Sequence, residues 1–293
     1  KDYIKKDDVT GVKYYFFISL IFWGLAWWLN TKLSRLPPSR TIRIASPLLF
    51  GSTLILLWEA TIISFKVSPV ILPAPSSVFV RLINSVPTLW IDFVQTVIKG
   101  AMSGYLIGCL SAFVIALLVN NFKFLERGLL PIGNFMAALP IVGTAPILVM
   151  WFGFDWQSKA AVVTVMVFFP MLINTIQGLQ MSDKIQRDLM KTYNASAWQT
   201  LTKLRLATAM PFIFNGLKIC STLALIGAIV AEFFGSPIKG MGFRITTEVG
   251  RFSLDMVWAE ITIAAITGSM LYGGIVLIER RITFWHPSQR GRA

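Results

Sequence analysis

Catalysis needs a nucleophile, a base or a bound cofactor at workable spacing, and this chain offers almost none. Its one histidine, His286 in the stretch WHPSQR, reads as a solvated residue. Cys109 and Cys220 both lie inside apolar runs, where a reduced thiol behaves as a small hydrophobe. No paired carboxylates, nucleophile elbow or metal-ligand spacing occurs, and no G-x-x-x-x-G-K-[ST] phosphate loop. The residues therefore point away from an enzyme and toward a chain with no metal or cofactor of its own. What remains is one polar segment between long apolar runs, DKIQRDLMKTYNASAWQTLTKLRLATAM, from Asp183 to Met210. Its chemistry is that of docking.

Asp183 with Gln186, and Ser196 with Gln199, have the spacing of capping boxes. Asn194 between them suits a left-handed, helix-ending position, because Asn tolerates positive φ. The pattern predicts two short helices, 184–193 and 197–206, joined by an elbow at Asn194–Ser196. Ile185, Leu189, Tyr193, Ala197 and Leu201 recur every four residues and make one apolar face. Lys184, Arg187, Lys191 and Lys203 fall on the other. Two uses fit: a hairpin lying on anionic headgroups, or a docking element for a cytoplasmic partner.

The elements around this segment are built for lipid. Of 293 residues 55% are hydrophobic and 14% charged, with a mean hydropathy of +0.67; soluble domains carry about 25% charged residues. The net charge of +13 would suit a nucleic-acid binder, but the hydropathy excludes a soluble one. The fold class expected is an all-α polytopic membrane protein. A spanning helix needs about 20 apolar residues, and six runs qualify: 44–66, 94–119, 129–152, 158–178, 212–234 and 257–278. A seventh, extra hydrophobic helix at Tyr14–Leu29 is short for a span, and reads as a tilted span or an interfacial helix. No small-x-small site follows it, which argues against a cleaved signal peptide.

Loops 30–43, 120–128, 179–211 and the tail 279–293 hold 15 Lys and Arg, while 67–93, 153–157 and 235–256 hold 4. The positive-inside rule places the first set, and with it the central segment, in the cytoplasm. If 14–29 spans, the N-terminus lies outside. Gly100, Gly104, Gly108 and Ala112 repeat every fourth position, a face for close packing within one subunit or at a seam between subunits. Pro140, Gly143 and Pro146 interrupt the third run, and backbone broken at membrane depth is tolerated in protein or along a water-filled path. Pro170 reads as a kink. Glu59 is the acid well inside a span, either lining a path or paired with Lys66 or Lys99. Glu232 closes the fifth run, as a path residue or a snorkelling interfacial acid.

The stretch DLMKTYNASAWQTLTKLRLATAMPFIFNGLK resembles the cytoplasmic EAA loop of binding-protein-dependent ABC importer permeases. Asp188 falls on the acidic position, Met190 on the second Ala, Asn194 on the Gly and Leu206–Ala207 on the Leu-Pro, with departures at Met190, Asn194 and Ala207. ILPAPSSVF (71–79), ALPIVGTAPILVMWFGFD (138–155) and AEFFGSPIKGMGF (231–243) are similar to the nitrate, sulfonate and taurine type, and to permeases for pyrimidine precursors and flavins. The resemblance implies an importer transmembrane domain over 44–287, preceded by an extension, 1–43, and followed by a cytoplasmic tail, 288–293. It implies a bacterial inner-membrane homodimer with two ATPase subunits that use the ATP, and an extracytoplasmic binding protein that delivers the solute. Asp188, Leu189, Met190, Tyr193 and Asn194 would then form the coupling helix. A non-transporting membrane scaffold that docks a cytoplasmic partner is the alternative.

Overall fold

The computed structural model describes residues 7–35, 39–119 and 123–285; His286 and the tail 288–293 lie outside them. The described residues form eleven helices and no strand. In chain order they are α1 (Asp7–Ser34), α2 (Arg40–Phe65), α3 (Pro75–Asn84), α4 (Val86–Val119), α5 (Lys123–Ala138) and α6 (Ile141–Phe152). Then follow α7 (Trp156–Gln180), α8 (Lys184–Thr192), α9 (Ala197–Phe234), α10 (Met241–Gly250) and α11 (Leu254–Ile282).

Five of these, α2, α4, α7, α9 and α11, are long and apolar enough to cross a membrane. Of the six expected core spans, the third run differs in form from the others. It is two helices, α5 and α6, divided at Leu139–Pro140. Pro140 has no amide to donate and disfavours helical backbone at the residue before it, so the chain stops and restarts there. The extra helix α1 runs well beyond 14–29, yet it does not belong to the five. The second run starts at Val86 rather than 94, because Asp92 and Gln95 dilute the hydropathy of its first turns without breaking the helix. Glu59 is accordingly not the one acid inside a span: Asp92 and Glu260 are others.

The helices sort into two compact units. One takes the chain up to Val86 together with Thr247–Glu260. In it α1 lies along α2, with the Ser46 hydroxyl on the Asn30 side chain, and Trp58 meets Trp258 at 4.8 Å between ring centres.

The other unit takes Pro87–Thr246 and the chain from Ile261. Its centre is α7, which packs on α4 and α9 through Ala112, Ala116, Val163, Val167, Leu172, Ala209, Ala224 and Ala228, all buried. The glycine stripe faces this contact and serves packing within the chain. A Cβ on Gly104 would lie 2.5 Å from Val163 Cβ, and one on Gly108 2.3 Å from Val167 Cγ2 and 3.0 Å from the Thr164 carbonyl oxygen. Without a hydrophobic drive between helices in lipid, that closeness supplies the packing. Gly108→Leu is expected to lower stability by about 1–3 kcal/mol through overpacking. Thermal unfolding of the detergent-solubilised protein reads it, with Gly273→Ala as the silent control, since nothing lies within 4 Å of that position.

Candidate functional site

The central segment folds largely as its caps dictate. Asp183 caps α8 and Gln186 returns to the Asp183 amide, while Ser196 and Gln199 do the same for α9. Asn194 has φ 51°, the left-handed conformation its type permits. The Ala195 amide donates to the Met190 carbonyl at 2.9 Å and closes the elbow.

The second helix is corrected, however. It does not end near 206 but runs unbroken from Ala197 to Phe234, through a π-helical stretch at Leu201–Arg205 and past Pro211. The apolar face therefore divides. Ile185, Leu189 and Tyr193 stand exposed on α8, Tyr193 at 78%, whereas Leu201 packs on the core of the unit. Met190 is half-buried. Asp188 is exposed and meets Lys191 Nζ at 3.3 Å, an ion pair worth little in water. Arg187 donates to the Ser182 carbonyl and hydroxyl, and Arg205 Nε to the Leu179 carbonyl, so two arginines fasten the segment to the end of α7. The pattern missed Trp198, which is 70% exposed beside Lys191 and Ala195 in a groove of about 420 Å³.

At the other end of α9 lies a buried polar cluster. Glu232 is 2% exposed, so it is no snorkelling acid. The Thr96 hydroxyl and the Gly242 amide donate to its carboxylate at 2.9 and 2.8 Å. Asp92, also fully buried, accepts from the Gly240 amide at 2.6 Å and from Arg244 Nε at 2.8 Å. The Met241 amide donates to the Thr96 hydroxyl at 2.7 Å. Two carboxylates thus receive amides at the start of α10, where orphan donors and the helix dipole favour negative charge. Gly240 has φ +117°, and a Cβ there would fall 2.3 Å from Glu232 Oε1.

Beside this cluster, Lys159 donates Nζ to the Phe154 carbonyl inside the unit. Asp155, in the loop before α7, accepts from Gln95 at 3.0 Å and caps the Trp156 amide. The Gln95 hydrogen bond first, then the Trp156 amide, hold its carboxyl below the usual carboxylate range. The only trace of Asp92 and Lys159 in the sequence is a charge embedded in an apolar run.

The remaining candidates are scattered. Glu59 lies in the first unit, where its carboxylate accepts from the Ser76 amide and hydroxyl at 2.9 and 2.6 Å, closing the start of α3. Pro140 and Gly143 are exposed at the α5–α6 break, and Pro146 sits half-buried one turn further along α6. Behind the break is a cavity of about 130 Å³ lined by Leu139, Thr144, Met166, Pro170 and Leu223. Met166 and Leu223 fall midway along their apolar runs.

Comparison with known proteins matches residues 104–284 to a family described as binding-protein-dependent transport system inner membrane component. A probable ABC transporter permease protein of Haemophilus influenzae is 33% identical over 236 residues, 80% of this chain and 95% of that protein. A formylaminopyrimidine transport permease protein of Halalkalibacterium halodurans is 28% identical, covering 85% of this chain and 99% of its own length. A putative aliphatic sulfonates transport permease protein of Bacillus subtilis is 29% identical, covering 83% and 88%.

Proposed function

Because the chain belongs to the binding-protein-dependent transport system inner membrane components, we propose that it is the translocation subunit of an ATP-driven importer. The observation that carries this is α8: a helix opened by a capping box and closed by a left-handed elbow, whose Ile185, Leu189 and Tyr193 stand exposed among the described residues. Asp188, Leu189, Met190, Tyr193 and Asn194 form the coupling element, and Trp198 extends it. A separate ATPase docks there and uses the ATP; this chain binds no cofactor. Two copies of the chain pair in the membrane, with the basic loops in the cytoplasm.

The path runs past the break at Pro140, Gly143 and Pro146. Backbone interrupted within an apolar run cannot face hydrocarbon with its amides and carbonyls unmet, so the exposed side of the break fits a wet path. Glu59 and Glu232 shape that path by fixing α3 and the start of α10. The solute is a small molecule delivered by an extracytoplasmic binding protein. Relatives named for formylaminopyrimidine, riboflavin, aliphatic sulfonates and taurine support that reading.

The test is ATP hydrolysis by the co-purified ATPase in proteoliposomes. Stimulation by solute-loaded binding protein is the expected result. A rate indifferent to the binding protein, with the ATPase still bound, would leave a scaffold in place of an importer.

A further inference from the structure

Between α11 and the pair α4 and α9 runs a crevice of about 250 Å³, lined by Ala101, Tyr105, Ser221, Ala224, Gly274 and Ile278 among others. Its walls are almost wholly apolar. Tyr105 directs its hydroxyl to the Leu217 carbonyl at 3.2 Å, and Ser221 to the Lys218 carbonyl at 2.7 Å, so both polar tips are already used. Among the five helices long and apolar enough to cross a membrane, α11 has the least buried apolar stretch. A Cβ on Gly274 would meet nothing within 4 Å, which shows how far α11 stands from its neighbours here.

The ends of the crevice differ. One lies at Ala101 and Ala224, near the middle of their apolar runs. The other lies at Ile278, one residue before Glu279, whose carboxylate takes Lys218 Nζ at 2.9 Å. On α11 the positions 274, 278 and 281 share a face by helical spacing. The face that lines the crevice therefore continues into Arg281, with Arg280 beside it and Trp285 just beyond the helix. Lys218 is balanced by Glu279; Arg280 and Arg281 add positive charge where the apolar run stops, and aromatic residues favour that level of a membrane.

An apolar slot whose lining face continues into Arg281, with Arg280 next to it in the chain, matches one kind of molecule. We propose that the crevice holds one acyl chain of an anionic glycerophospholipid, its phosphate held by Arg281 and Arg280. The site rests on the importer reading only for the side of the membrane: with the basic loops in the cytoplasm, the lipid belongs to the inner leaflet. Its role is to fill the gap under α11 and so join the loosest span to the rest of its unit.

The experiment uses the full-length permease with its co-purified ATPase, reconstituted in vesicles of equal phosphatidylglycerol and phosphatidylcholine. It is then extracted in mild detergent and its retained lipid read by native mass spectrometry. The protein is expected to retain phosphatidylglycerol preferentially. Gly274→Leu, which fills the slot without displacing protein, is expected to lose both lipids. Arg281→Gln is expected to keep lipid but lower the preference for phosphatidylglycerol about five-fold, the effect of one cation near an anionic surface. Equal retention of both lipids by the unaltered protein, or unchanged retention in Gly274→Leu, overturns the proposal. So does efficient disulfide formation between copies at Gly274→Cys, which makes the face a subunit contact. Retention is read without ATP or binding protein, so a permease that keeps its lipid but ignores the binding protein sinks the importer reading alone.

Discussion

Tyr193→Ala is expected to abolish uptake while leaving membrane insertion intact. The side chain stands at the end of α8 with 78% of its surface exposed, next to Leu189 and one turn beyond it. Both caps fix α8 and the start of α9, so Tyr193 is offered to the ATPase with little conformational freedom left to lose. Truncating an anchor of this kind typically costs about 2 kcal/mol or more of binding, roughly a thirty-fold loss of affinity. Leu189→Asp should act in the same direction. Asn194→Val should do so through the backbone, because a β-branched residue resists the φ of 51° found there. Asn194→Gly should be nearly silent, and Lys203→Gln likewise, since Lys203 projects from the opposite face. Pull-down of the ATPase from membranes is the measurement. Normal recovery with Tyr193→Ala and Leu189→Asp would remove the coupling role from α8.

The second large effect is expected at Asp92. Removing its carboxylate by Asp92→Ala breaks the ion pair with Arg244, only 19% exposed in its side chain, and takes the acceptor from the Gly240 amide. Deleting one member of a buried ion pair costs about 3–5 kcal/mol. Glu232→Ala should cost a comparable amount, because the Gly242 amide and the Thr96 hydroxyl lose their acceptor together. The loop 235–240 is the part released, so a cysteine at Lys239 should react faster with a membrane-impermeant maleimide in both variants. Glu59→Gln belongs to the other unit and should leave that rate unchanged. A maleimide rate equal to the unaltered protein's in both alanine variants would show that the two acids do not hold the loop.

Much of this was legible in the residues, because local rules are strong wherever they act alone. The capping boxes and the Asn194 elbow followed from side-chain chemistry over four residues, and the backbone obeys it. The break at Pro140 was visible as a proline cluster, although not that it splits one run into two helices. The continuity of α9 was not legible: the pattern ended one helix at 206 and began the next run at 212, but the amide missing at Pro211 between them costs one hydrogen bond, and packing on α7 outweighs it. The polar cluster at the far end was hidden for a different reason. Asp92 and Gly240 are 148 positions apart, and no periodicity links residues at that separation. Glu232 drew notice as a charge in lipid, yet its partners are the Thr96 hydroxyl, 136 positions away, and the Gly242 amide, a backbone group that leaves no mark in a sequence.

The unbroken course of α9 also fixes where the molecule can bend. Its 38 residues are not uniformly stiff. The π-helical stretch at 201–205 and Pro211, which donates no amide to the ladder, are the compliant points, and both fall in the half nearest the elbow. Beyond them the residues 212–234 form a regular helix of about 34 Å. A push at the elbow is therefore partly absorbed as a bend low in the helix, and what passes on arrives as a tilt of the upper part as one body. A tilt of about 5° would carry its far end about 3 Å sideways at that length. Glu232 sits at that far end and grips the amide of Gly242. On the coupling proposed for α8, a push that enters at the elbow thus leaves as a sideways drag on the start of α10.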